Sequence, residues 1–236
     1  MGVFGKIRDW FRNYWYYYKW FVIIGAFFVG VIVFCLVQSQ SRAASDALIL
    51  YTGPHFFESG EKSALQNAFS QIMSEDCDGD GRRTVEIVDM PAFSDEEIRE
   101  RIGDSPEIGD VMQYAAYTYS EVQKNFSKQV FAGETVICLL DPYWFSLLES
   151  NGGLVPLREI LGFEPGHAVD EYGVRFSELD FARFFEAAGK LPEDTVICFR
   201  RLSTASGFTG KKEAEKNYES SKTVLRDIFA FVAPSS

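Results

Sequence analysis

Residues 20–37, WFVIIGAFFVGVIVFCLV, run for eighteen positions without a charge or a proline. As an α-helix such a run reaches about 27 Å, close to the ~30 Å hydrocarbon thickness of a bilayer. Residues 20–38 are therefore read as one transmembrane helix, with the lipid bilayer contacting residues 20–37. The segment 1–19 carries Lys6, Arg8, Arg12 and Lys19 against Asp9, and only Arg42 follows the run before Asp46. Basic residues stay on the cytoplasmic side of a span, so the N-terminus is expected inside and the C-terminal bulk outside the cell. Trp10, Phe11, Tyr14 to Tyr18 and Trp20 suit an aromatic belt at headgroup level. Two rival readings fit less well. A cleaved signal peptide has an apolar core of about 7–15 residues and a small-x-small cleavage site, whereas this core is longer and ends near Ser41-Arg42-Ala43. A lipid anchor on Cys35 would need a small residue before it, and Phe34 stands there. Ala26 and Gly30 form one small-xxx-small pair, a weak signal for helix association.

Beyond a short linker at 39–46, residues 47–233 suffice for one domain with its own core. Of 23 Lys and Arg, four precede residue 39, and of 34 Asp and Glu, one does, which leaves 19 against 33 and a net charge of −14 from there on. Such a surface repels phosphate backbones and argues against a nucleic-acid partner. It also disfavours docking flat on anionic lipid. Three of the four cysteines, Cys77, Cys138 and Cys198, lie outside the apolar run. No Cys/His spacing suits zinc. Cys138 and Cys198 occupy matching contexts, TVICLL and TVICFR. They read either as small buried hydrophobes or, if the strands are neighbours, as thiols brought together.

The external part alternates strand and helix patterns. Ala47–Thr52 is a short apolar run closed by Gly53-Pro54, and Thr84–Met90 is a β-branched alternating segment; both are expected strands. Glu58 to Glu75 shows helical periodicity through Leu65, Phe69 and Ile72. Gly109 to Phe131 repeats apolar residues at spacings of three and four. Thr135–Leu140 and Thr195–Arg200 are continuous apolar runs, expected as strands buried on both faces. Tyr143 to Glu149, about Phe181 to Ala188, and about Lys211 to Phe231 are expected helices, within an otherwise irregular 162–193. Strands separated by crossover helices predict an α/β fold: a layered domain with a mainly parallel sheet.

Phe131-Ala132-Gly133-Glu134-Thr135-Val136-Ile137-Cys138-Leu139-Leu140-Asp141, then Phe145 to Glu149 and Gly153-Leu154-Val155-Pro156-Leu157, resembles the helix–strand–helix of extracellular solute-binding proteins of ABC importers. The pairing of TVEIVDM with ALILYT resembles the first two strands of that family's first lobe. The likeness covers about residues 47–160. It implies a periplasmic-binding-protein-like lobe, with a permease as partner. The chain is long enough for about one lobe, so closure of two lobes around a ligand would lack its second half. With Tyr16-Tyr17-Tyr18-Lys19-Trp20 leading into the apolar run, the whole chain also resembles small single-span membrane proteins of Gram-positive bacteria.

Asp76-x-Asp78-x-Asp80-Gly81 places carboxylates at alternate positions of a tight loop, a pattern that converges on Ca²⁺ in calcium loops. An EF-hand needs a bidentate Glu at loop position twelve, where this chain has Ile87. Asp76, Asp78 and Asp80 are thus either part of an incomplete calcium site or a polar helix-to-strand turn. Gly53 and His55 follow the first strand, and Asp141, Tyr143 and Trp144 follow another. Ligand contacts gather at such strand ends in open α/β sheets, so these five residues are the candidate ligand-binding set. The alternatives are an ordinary loop histidine and aromatic plugs for a short helix. Neither His55 nor His167 stands in HExxH, and GxSxG and GxxxxGK[ST] are absent. The expected protein is a non-enzymatic, membrane-anchored extracytoplasmic binding or interaction protein, with an envelope protein or permease as partner. A single-lobe transport component and an envelope enzyme are the alternatives.

Overall fold

The computed structural model describes residues 16, 18–21, 23–34, 45–58, 60–77, 79–93, 120–130, 135–202 and 211–234. The chain divides into two units, Met1–Ala44 and Ser45–Ser236. In the first, residues 16, 18–21 and 23–34 are helical, and 23–34 is labelled α1. Its apolar side chains face outward, with Phe27 at 66 % and Phe34 at 65 % exposure. Among the described residues no helix is long and apolar enough to cross a membrane. Positions 22 and 35–38 of the expected span lie outside them.

The second unit is built on a five-stranded sheet of β1 (Ala47–Gly53), β2 (Val85–Pro91), β3 (Ile137–Leu140), β4 (Gly173–Arg175) and β5 (Val196–Phe199), in the order β2-β1-β3-β5-β4. β1 is parallel to both β2 and β3, while β5 is antiparallel to both β3 and β4. Four strands therefore share one direction and β5 alone opposes them.

Alternation along the strands divides the core in two, because successive side chains leave opposite faces of a sheet. Ile49, Tyr51, Ile137, Leu139, Ile197 and Phe199 face one cluster, which α2 (Glu61–Ile72), α5 (Leu157–Leu161), α6 (Asp180–Phe184) and α7 (Lys211–Ala230) cover. Leu50, Cys138, Leu140, Val196 and Cys198 face the other, under α3 (120–130) and α4 (Pro142–Ser150). The result is a three-layer α/β domain. All four residues of β3 and of β5 are buried, as continuous apolar runs between helix layers require.

Two polar residues fasten the loops. Asp46, buried beside β1, accepts from the amides of Cys77 and Thr84, both at 2.7 Å, and so ties the 76–84 connection to the sheet. Arg200, 1 % exposed, donates through Nε to the Thr135 carbonyl at 2.9 Å and through Nη1 to the Val130 carbonyl. The second contact sets a cation at the C-terminal end of α3, where the helix dipole favours it.

The structure departs from the expected pattern in particulars. The helix expected over Glu58–Glu75 is confined to Glu61–Ile72, and that expected around 181–188 ends at Phe184. The irregular stretch holds β4, and α5 was not expected. Of the expected helix 109–131, residues 120–130 are helical, and 109–119 and 131 lie outside the described residues.

Candidate functional site

β1 lies between β2 and β3, so connections leave its two sides in opposite senses, and the carboxyl ends of β1 and β3 form the switch point of the sheet, where open α/β folds place their ligand crevices. Backbone hydrogen bonds draw three strand ends together there. The Asp141 amide donates to the Thr52 carbonyl at 2.9 Å, and the Ala92 amide donates to the Gly53 carbonyl at 2.8 Å. Gly53 is placed by crowding: a Cβ there would lie 2.9 Å from Tyr51 Oη and 3.5 Å from Asp141 Cβ. Gly53, His55, Asp141 and Tyr143 thus all stand on the connections leaving β1 and β3.

His55 is held from several sides. Its amide donates to Tyr51 Oη at 2.9 Å, and its Nε2 lies 3.1 Å from Glu61 Oε2. The imidazole packs edge-on against Phe57, with ring centres 5.1 Å apart. Glu61, at the first turn of α2, also accepts from the Glu58 amide at 2.8 Å and lies 3.7 Å from Lys190 Nζ. Burial pushes the Glu61 carboxyl up, but the Glu58 amide, the His55 contact and the charges of His55 and Lys190 outweigh it and hold the group below its ordinary value. Glu61, Tyr51 and Lys190 are the partners that sequence reasoning missed. A Glu three residues after Glu58 at a helix start is the one signal that pointed to such a contact.

Asp141 caps α4: its Oδ1 accepts from the Tyr143 amide at 2.8 Å, and Pro142 follows at a position that needs no amide. Tyr143 is 38 % exposed, and Phe56, 60 % exposed, leans on Phe93 with ring centres 5.7 Å apart. Each of the two connections thus carries an exposed aromatic ring. Trp144 is placed differently. It is fully buried beneath the sheet, 4.8 Å from Phe126 between ring centres, and offers a ligand no exposed face. The helix that begins at the Asp141 cap sends Trp144, Phe145 and Leu148 to the core.

The acidic loop serves its own backbone. Asp76 accepts from the Gly79 amide through Oδ1 and from the Gly81 amide through Oδ2, both at 2.7 Å, and Asp80 accepts from the Arg82 amide at 2.7 Å. Gly79 and Gly81 adopt φ of 85° and 84°, left-handed values that glycine reaches without strain. Asp78 lies outside the described residues. Ile87, at the EF-hand position for a bidentate Glu, is 1 % exposed in the core. Among the described residues no group of three or more His, Cys, Asp or Glu is gathered tightly enough to hold a metal ion.

A cleft of about 850 Å³ runs between α3 and α4, lined by Lys124, Phe126, Ser127, Leu147 and Asn151 among others. None of its lining residues belongs to the strand ends. No family model, no curated protein and no solved structure matches the chain.

Proposed function

We propose that this is a non-enzymatic binding protein held at the outer face of a cell membrane by residues 20–37, which takes an uncharged or cationic small ligand at the carboxyl ends of β1 and β3. The single observation that carries this reading is the meeting of the β1 and β3 ends at the switch point of the sheet, where open α/β folds bind their ligands, with Gly53 against Asp141 and with His55 and Tyr143 on the two connections that follow. The chemistry of these two connections supports the ligand class. Exposed faces on Tyr143 and Phe56 offer stacking and cation–π contact. Asp141 places a carboxylate at the α4 N-terminus, a position that would otherwise attract an anion. The polar groups nearby are engaged in holding backbone, as a pre-organised binding surface requires, rather than aligned as nucleophile and base. The outward apolar side chains of α1 support the anchor, since a contiguous apolar surface of that kind calls for lipid or protein cover. A single-lobe, transport-type binding component beside a permease is the narrower form of the same reading.

The test is a thermal-shift screen of the full chain in detergent against amines, quaternary ammonium compounds, sugars and amino acids. At least one compound should raise the midpoint, and Tyr143→Ala should abolish that rise while leaving the unliganded midpoint nearly unchanged. A library without a single shift, or a shift that Tyr143→Ala preserves, overturns the site.

A further inference from the structure

Cys138 and Cys198 face each other directly across the antiparallel pair β3–β5. Their side chains leave the same face of the sheet, into the cluster beneath α3 and α4. The Arg200 amide donates to the Val136 carbonyl at 2.7 Å, which makes Val136 and Arg200 a hydrogen-bonded pair. Pairs alternate along an antiparallel ladder, so Cys138–Cys198, two positions on, belongs to the same class, where Cα atoms stand about 5.5 Å apart. That separation lies within the ~4.4–6.8 Å Cα range of disulfides, and the Cβ atoms, about 5.5 Å apart in a pair of this class, must close by roughly 1 Å to reach the ~3.5–4.5 Å of a bridge. The Cys138 thiol donates to the Val136 carbonyl at 3.9 Å, and neither thiol reaches solvent. All three of these cysteines are free thiols in this structure, and Cys77, half-buried beside the acidic loop, stands apart from the other two with its sulfur on the Glu75 carbonyl.

We infer that Cys138 and Cys198 are a modification site: they are oxidised to a cross-strand disulfide while the chain folds, fastening the reversed strand β5 to the parallel half of the sheet. The oxidant is a disulfide donor, protein or small molecule. One cysteine thiolate attacks the donor, breaking its S–S bond, forming a mixed disulfide and releasing one donor thiolate. The second cysteine thiolate attacks the mixed disulfide, closes the Cys138–Cys198 bond and releases the other donor thiolate. Two electrons pass to the donor, and the two cysteine protons end on its two thiols. The exchange belongs to the stage before β5 docks, because the packed sheet excludes the donor. The same burial then shields the finished bond from reductants. The geometry stands on the register alone; only the presence of the bond in cells rests on the extracytoplasmic placement proposed above.

The full chain in detergent is unfolded in urea with reductant, then refolded with either a glutathione disulfide/glutathione couple or dithiothreitol, acid-quenched and alkylated under denaturing conditions. In the glutathione arm, peptides carrying Cys138 and Cys198 should be recovered linked, with Cys77 alkylated. The oxidised protein should melt roughly 10 °C above the reduced one. Cys77→Ala should keep that difference, and Cys198→Ala, if it folds, should lose it. Alkylated Cys138 and Cys198 in both arms, or a link through Cys77, overturns the inference whatever the variants do. Protein trapped by acid from its own membrane separates the two readings. Linked peptides there support both. Free thiols there, with linked peptides in the glutathione arm, uphold the site and count against the extracytoplasmic placement.

Discussion

Among the single residues near the strand ends, Glu61 holds the loop that follows β1. Its side chain is 4 % exposed and receives the Glu58 amide, His55 and Lys190. A carboxyl held below its ordinary value of 4.5 stabilises the folded chain above that pH and loses its contribution as pH falls through the lowered folded value. Glu61→Gln keeps an acceptor for the Glu58 amide and deletes the charge. It should cost about 1–2 kcal/mol at pH 7, the difference between charged and neutral hydrogen bonds. The gap from the parent should close as pH is lowered from about 5 toward 3. Urea titrations of both proteins across that range check this, and a gap independent of pH would show that the charge plays no part. Residue-level reading of the sequence reached the strand-end residues because Gly53-Pro54 and Asp141-Pro142 punctuate apolar runs and so mark where β1 and β3 stop. It could not reach Lys190, whose contact with Glu61 spans more than a hundred residues of chain. Nor could it decide between the two readings of Trp144, because the cap at Asp141 sets the helix phase, and that phase alone buries the indole.

At the scale of elements, legibility followed length and burial. β1, β3 and β5 announce themselves as apolar runs and β2 as an alternating segment, each of four to seven residues bounded by turns. β4 has three residues, too few to display an alternation, and it exists because β5 offers it an edge. The fit of β4 depends on Gly173. A Cβ at that position would fall 2.5 Å from Val196 Cγ1 and 2.7 Å from Phe145 Cε2. Both neighbours are themselves buried, so neither yields cheaply. Gly173→Ala should therefore destabilise the domain by about 1–3 kcal/mol through overpacking. Hydrogen exchange should quicken first at the Val169 and Phe176 amides, which donate to the carbonyls of Gly173 and Thr195 on either side of this strand. Unchanged stability would mean that β4 shifts freely on its edge.

For the molecule as a whole, the pattern of the sequence foretold α/β layering and left the direction of β5 undetermined. A strand buried on both faces carries no alternation, and its residues are equally at home parallel or antiparallel to a neighbour. Direction came instead from β4: the chain enters the sheet at that edge and returns beside it as β5, antiparallel to both neighbours. The larger scale also separates two kinds of apolar surface. The unit Ser45–Ser236 closes its apolar residues into two clusters around one sheet, whereas the α1 residues of Met1–Ala44 keep theirs outward. Burial of this extent sustains a domain of such length by itself, and the net charge of −14 from residue 39 onward keeps it dispersed in water. A chain beginning at Ser45 should accordingly unfold in urea in one cooperative transition, with a midpoint close to that of the full chain in detergent. The full chain should need detergent or lipid to stay monodisperse and should float with liposomes on a density gradient, and the shortened chain should do neither. If the shortened chain lacked a cooperative transition, the first unit would belong to the fold rather than to its anchorage. If the full chain stayed monodisperse in plain buffer, the outward apolar side chains of α1 would have found cover within the protein, and the membrane reading would fall.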